Sequence, residues 1–119
     1  MISKIEELIR QAKINANKHG WFIYWIDVNS TEEHLINYKQ NGYKCLSIGD
    51  TLALCHSEIS EALNAFRDDD FEHFKEEIAD EFIRLFHLCG DLHINIEEEI
   101  IKKMEKNKLR PKNHGRKNY

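Results

Sequence analysis

Proline is almost absent from this chain of 119 residues, Pro111 being the single example, and glycine occurs only five times. So little punctuation argues against many short strands joined by tight turns and favours long helices. No apolar stretch approaches the roughly 20 residues that span a bilayer, so no membrane segment is expected. The opening residues, MISKIEELIRQAK, carry charge throughout and do not follow a secretory leader pattern. The three cysteines, Cys45, Cys55 and Cys89, are odd in number and form no metal-type pair. Cys55 and Cys89 fall among apolar residues at helical spacing, which predicts buried thiols in a reducing, cytoplasmic setting.

What is present fits one soluble domain, since 119 residues are too few for two ordinary ones. A monomer of this size buries only about two-thirds of its unfolded surface, so part of its stability is expected from a partner subunit. The formal charge of −4 hides an uneven distribution. Residues 1–101 hold nine Lys+Arg against 20 Asp+Glu, a charge of −11, whereas eight Lys+Arg face the single Glu105 from Lys102 onward. An acidic body with a basic end suits a ligand combining cations and phosphates, and equally a plain solvated surface. A single domain over 1–110 with a basic tail at 111–119 is the expected organisation.

The first helix is predicted over 2–18, where Ile2, Ile5, Leu8, Ile9 and Ala12 recur at helical intervals, Ser3 can cap the start and Gly20 ends it. An aromatic run, Trp21 to Trp25, follows. From Asp27 to Lys44 the chain turns polar and reads as a long loop. A second helix, from Ser47 or Asp50 to Arg67, carries Leu52, Cys55, Ile59, Ala62, Leu63 and Phe66 in threes and fours. Asp68-Asp69-Asp70 breaks it, and one of these aspartates caps a third helix over 71–92 with Phe74, Ile78, Phe82, Leu85, Phe86 and Cys89 on one stripe. A fourth helix, 94–108, uses Ile96, Ile100, Ile101 and Met104 and stops before Pro111. Nothing reads as a set of alternating strands. The expectation is an all-α antiparallel bundle of about four main helices, assembled as a homo-oligomer.

Two carboxylate pairs carry the chemistry. Glu58-Ile59-Ser60-Glu61 lies on the second helix and Glu77-Ile78-Ala79-Asp80 on the third. A spacing of three puts each pair on one helical face, about 4.5 Å apart along the axis. Both pairs border the apolar stripe, so packing the two helices can converge four carboxylates at the edge of the core. Two like charges about 4 Å apart repel by on the order of 4 kcal/mol at an effective dielectric near 20. Hard divalent cations with oxygen preference remove that cost, and Mg²⁺ also binds phosphate oxygens, with Mn²⁺ as a possible substitute. A chain with 21 acidic residues also produces such spacings by chance, and Glu76, Glu81 and Glu97-Glu98-Glu99 show how common carboxylates are here.

The surroundings narrow the choice. Leu54 to Leu63, with Glu58 and Glu61, followed by Glu77-Ile78-Ala79-Asp80-Glu81-Phe82-Ile83-Arg84, resembles the MazG-like all-α nucleoside triphosphate pyrophosphatases, whose mark is E-x-x-E on one helix and E-x-x-D on the next. Lys103 to Pro111 looks like that family's K-x-x-x-N-x-x-R-P segment, and Lys18-His19-Gly20-Trp21-Phe22 like a shorter N-terminal signature. The likeness covers 52–117 well and 1–26 loosely. It implies that Glu58, Glu61, Glu77 and Asp80 are the catalytic Mg²⁺ ligands, and that Lys103, Asn107 and Arg110 contact the triphosphate. It further implies cleavage of a nucleoside triphosphate to monophosphate and pyrophosphate, and homodimers or homotetramers with sites near subunit interfaces. His87 departs from the family pattern, where an acidic residue is common, and is either a phosphate or water contact or a sign of a weakened site.

Other residues have plainer roles beside functional ones. Trp21 or Trp25 could stack on a nucleobase, although packing explains an aromatic run as well. His19 suits a helix C-terminus, His56 the edge of the core, and Arg84, one turn after Asp80, is placed to pair with it. A di-iron carboxylate site needs Glu-x-x-His motifs, which none of the seven histidines completes. The non-enzyme alternative is a catalytically weak nucleotide-binding, or nucleic-acid-binding, regulatory helical module using the basic tail. An acidic body and a tail without interleaved aromatics argue against nucleic acid.

Overall fold

The computed structural model describes residues 1–24 and 44–111. Within them, four helices and one short pair of strands follow in the order α1 (Lys4–Lys18), β1 (Trp21–Tyr24), β2 (Lys44–Ser47), α2 (Ile48–Arg67), α3 (Phe71–Asp91) and α4 (Ile96–Lys108). No helix among the described residues is long and apolar enough to cross a membrane. Of the loop expected from Asp27 to Lys44, all but Lys44, which opens β2, lies outside the described residues, as do Trp25 and the tail beyond Pro111.

Each helix starts on a side-chain acceptor. Ser3 Oγ takes the Glu6 N–H at 3.1 Å, Ser47 Oγ the Asp50 N–H at 3.0 Å and Asp70 Oδ1 the His73 N–H at 3.1 Å, satisfying donors that the first turn leaves open. Asn95 does the same for α4 through the Glu98 N–H at 3.2 Å. The ends of α2 and α3 share one device. Asp69 (φ 56°) and His93 (φ 56°) adopt the left-handed conformation, while Asp70 and Ile94 return their N–H groups to Ala65 and Cys89, both at 2.9 Å. This is the Schellman closure, made here without the glycine that normally relieves its steric cost.

The strands are a departure from the sequence reading. Trp21–Tyr24 and Lys44–Ser47 pair in parallel, with Trp21 opposite Lys44 and Tyr24 opposite Ser47. The aromatic run has no polar alternation to announce a strand, and its partner lies across a long polar segment. Ser47 closes β2 and caps α2, so the strand pair feeds directly into the helix that carries Glu58. Thr51, buried in the first turn of α2, donates its hydroxyl to the Ser47 carbonyl at 2.9 Å.

Helix α3 is the central element, packed against α2 on one side and α1 on the other, with β1 touching all three. Small side chains bring the helices close: Cys55, Ala62 and Ala65 on α2 and Cys89 on α3 are buried together with Ile23 of β1. At Gly90 an added Cβ would stand 2.8 Å from the Lys13 Cβ, so α1 rests almost directly on the α3 backbone. Helix α4 makes only marginal contact with the others, and its visible tie is a hydrogen bond from Ser3 Oγ to Glu97. The core is correspondingly thin. Leu52, Ile59, Leu63 and Phe66 on α2, Phe71, Phe82 and Ile83 on α3, and Ile100, Ile101 and Met104 on α4 are all exposed.

Candidate metal centre

Glu58 stands midway along α2, while Glu77 and Asp80 occupy successive turns of α3. Across the packed helices, each of these three offers a carboxylate oxygen, and the three oxygens lie within 4.8 Å of one another. Glu61, the fourth residue expected in the cluster, is exposed and lies outside that triad. It stands one turn from Glu58, close enough to Glu77 to raise that residue's pKa, and lines a smaller cavity of about 190 Å³ with Asn64 and His73. The i, i+3 spacing thus delivers three ligand candidates directly and a fourth at their edge.

The environments of the three differ. Glu77 is buried at 7% exposure; its Oε1 lies 2.8 Å from His73 Nε2, and its Oε2 is buried with no hydrogen-bond partner among the described residues. Glu58 is half-buried, and its Oε1 accepts from Arg84 Nε at 2.8 Å. Asp80 is exposed. Contact with Glu58, then burial and the nearby Glu61, push Glu77 above the usual carboxylate range against the opposing pull of His73. The Arg84 guanidinium, ahead of all other causes, holds Glu58 below that range. Glu77 in turn raises the His73 imidazole above its ordinary value.

The Arg84 pairing corrects the sequence expectation. Its partner is Glu58 on the neighbouring helix and not Asp80 on its own, because the packing of α2 against α3 offers a half-buried carboxylate while Asp80 is solvated.

A cavity of about 270 Å³ adjoins the triad between α1, α2 and α3, walled by Ala12, Asn15 and Ala16 on one side and by Glu58, Asp80, Ile83, Arg84 and His87 on the other. His87 thus faces the same space as two of the carboxylates. Its Nε2 lies 2.7 Å from Asp91 Oδ2, and the two side chains are only 10% and 4% exposed. Asp91 also accepts the Ile23 backbone N–H at 2.9 Å and the Asn17 amide at 3.3 Å, tying α3 to β1 and α1. Burial raises the Asp91 carboxyl, but His87, the Ile23 N–H and Asn17 together hold it below its ordinary value.

Two features escaped the sequence reading. Asp91 was visible only as a residue near a helix end, and nothing local announces a bond to a strand backbone 68 positions away. Glu81 ranked among the surplus carboxylates, yet its Oε2 is buried without a hydrogen-bond partner among the described residues. Burial first, and Glu81 next, push the Cys55 thiol up. Glu81 falls four residues after Glu77, which is the signal that could have placed it on the inward stripe. Cys55 and Cys89 are buried free thiols, as expected.

The remaining candidates are not gathered here. Lys103, Asn107 and Arg110 are exposed at or just beyond α4, and no hydrogen bond or ion pair among the described residues joins them to the carboxylates. Trp21 is 38% exposed on β1 and is not among the residues walling the cavity. His19 caps α1, its Nδ1 lying 2.7 Å from the Asn15 carbonyl oxygen. The chain matches no protein-family model, no curated protein and no solved structure.

Proposed function

We propose that the chain is a Mg²⁺-dependent nucleoside triphosphate pyrophosphohydrolase of the MazG-like kind, releasing a monophosphate and pyrophosphate. The supporting observation is the convergence of Glu58, Glu77 and Asp80 within 4.8 Å, with the buried Glu77 Oε2 lacking a hydrogen-bond partner among the described residues. A buried carboxylate oxygen without a hydrogen-bond donor is costly, and an oxygen-preferring divalent cation relieves both that cost and the mutual repulsion. Glu58, Glu77 and Asp80 would hold Mg²⁺, or Mn²⁺ in its place, with Glu61 joining from the edge. Once bound, such an ion polarises a phosphoryl group and neutralises the leaving pyrophosphate. His73 orients Glu77 from behind, as partners of metal-binding carboxylates do. The cavity beside the triad gives the nucleotide a place to lie against α1, with His87 at its wall.

An antiparallel bundle is supported by the three-residue turn between α2 and α3. A homodimer or homotetramer is supported by the exposed apolar residues of α2, α3 and α4, and by a radius of gyration of 17.4 Å. A compact chain of this length would measure about 13 Å. Lys103, Asn107 and Arg110 would then complete a site across the interface, contacting phosphates. A cytoplasmic setting suits the buried free thiols.

The test is to incubate the protein with each ribo- and deoxyribonucleoside triphosphate and Mg²⁺, following pyrophosphate and monophosphate together. At least one triphosphate should yield both in equal amounts. Glu77→Gln and Asp80→Asn should abolish release while leaving the helical circular dichroism intact. Absence of pyrophosphate from every triphosphate, or full activity in either variant, would overturn the assignment.

A further inference from the structure

A triphosphate brings about four negative charges to a site that is itself built from carboxylates, so cations beyond the metal are needed along its path. The basic residues expected to serve, Lys103 and Arg110, stand away from the triad within one chain. Among the described residues the cavity wall holds a single Lys or Arg, and it is Arg84. Its side chain is 37% exposed, and it meets Glu58 through Nε alone, at 2.8 Å. An Arg–carboxylate pair is frequently bidentate, using two N–H groups in parallel. Here the second bond is not made, and among the described residues Nη1 and Nη2 have no hydrogen-bond partner. Four of the five donors in a rigid fork are therefore unspent beside a cavity that also touches Asp80.

We infer that Arg84 is a substrate-contact residue with two tasks, its Nε fixing Glu58 for the metal and its Nη edge binding a phosphate oxygen of the triphosphate in the cavity between α1, α2 and α3. The inference rests on the proposed hydrolase reading and adds a phosphate contact supplied within the same chain as the carboxylates. A lysine at this position could keep a charge near Glu58 but could not grip both groups at fixed geometry.

The experiment compares wild type, Arg84→Lys and Arg84→Gln in steady-state hydrolysis, and separately measures Mn²⁺ binding to each free protein by electron paramagnetic resonance. Loss of a charge-assisted contact should raise KM about 10- to 100-fold in Arg84→Gln, with a smaller rise in Arg84→Lys. Mn²⁺ affinity should fall by less than about threefold in Arg84→Lys, where a cation still stands beside Glu58. An unchanged KM in both variants overturns the phosphate contact, and so does a KM rise matched by an equal loss of Mn²⁺ affinity, since Arg84 would then act only through Glu58. Should wild type hydrolyse no triphosphate, the hydrolase reading fails by itself. Calorimetry with Mg²⁺ and inorganic tripolyphosphate then decides the Arg84 question, weaker binding in Arg84→Gln supporting it and equal binding overturning it.

Discussion

Removing the Asp91 carboxylate should unlock the join between the central helix and the segment that precedes it. Its side chain is 4% exposed and accepts from His87, the Ile23 backbone and Asn17 at 2.7, 2.9 and 3.3 Å. Hydrogen bonds to a charged group contribute roughly 1.5–3 kcal/mol each, and two short ones sharing one oxygen are worth less than their sum. Asp91→Ala leaves a buried N–H and a buried imidazole without their acceptor, and a cost of about 3–4 kcal/mol follows. For 119 residues at ~2.1 cal/mol/K each, that corresponds to a fall in Tm of about 12–16 °C. Asp91→Asn keeps an acceptor but loses the charge, and should fall about half as far. Thermal unfolding followed by circular dichroism gives these shifts, and hydrogen exchange at the Ile23 amide reports the local bond. The pH dependence has a definite sign. The folded carboxyl lies below its unfolded value of about 3.9, so its contribution is complete above that range and is lost as pH falls through the folded value. The stability gap between wild type and Asp91→Asn, measured in urea, should therefore hold at neutral pH and close below about pH 4. A Tm for Asp91→Ala within about 3 °C of wild type, or a gap that persists undiminished at pH 2, would refute the network.

Two other outcomes are expected. Lys103→Ala should raise KM about tenfold with kcat little changed, as befits a lost phosphate contact, and an unchanged KM would contradict that role. Phe66 and Phe82, 67% and 54% exposed, should be covered by a partner subunit. The double variant Phe66→Ser/Phe82→Ser should then sediment as a smaller species than wild type, and identical sedimentation would remove this face from any interface.

Helices were legible because apolar residues at threes and fours leave little choice of period, and because Ser3, Ser47 and Asp70 stand where caps are needed. Their ends were harder to place, since Asp69 and His93 take the left-handed position without a glycine to mark it. The strand pair was hidden by its parallel pairing across a long connection, which leaves no hairpin signal. The pairing of Glu77 with Asp80 was legible because i, i+3 spacing is a property of one helix, whereas the same spacing on α2 brings Glu58 to the cluster and leaves Glu61 outside it. What depended on packing between helices was not: Arg84 chose Glu58 over its own helix neighbour, and Asp91 found a backbone donor on β1. For Lys103, Asn107 and Arg110 the sequence offers a family-like spacing but not the direction in which α4 departs.

The missing side chain at Gly90 has a consequence beyond close packing. Because the Lys13 Cβ occupies the room a methyl would need, the separation of α1 from α3 is set by backbone thickness. The far wall of the cavity beside the carboxylates, with Ala12, Asn15 and Ala16, belongs to that same helix. Even alanine at position 90 would pry the two apart and widen the cleft along its whole length, so one hydrogen atom acts as the gauge for what the cleft can grip.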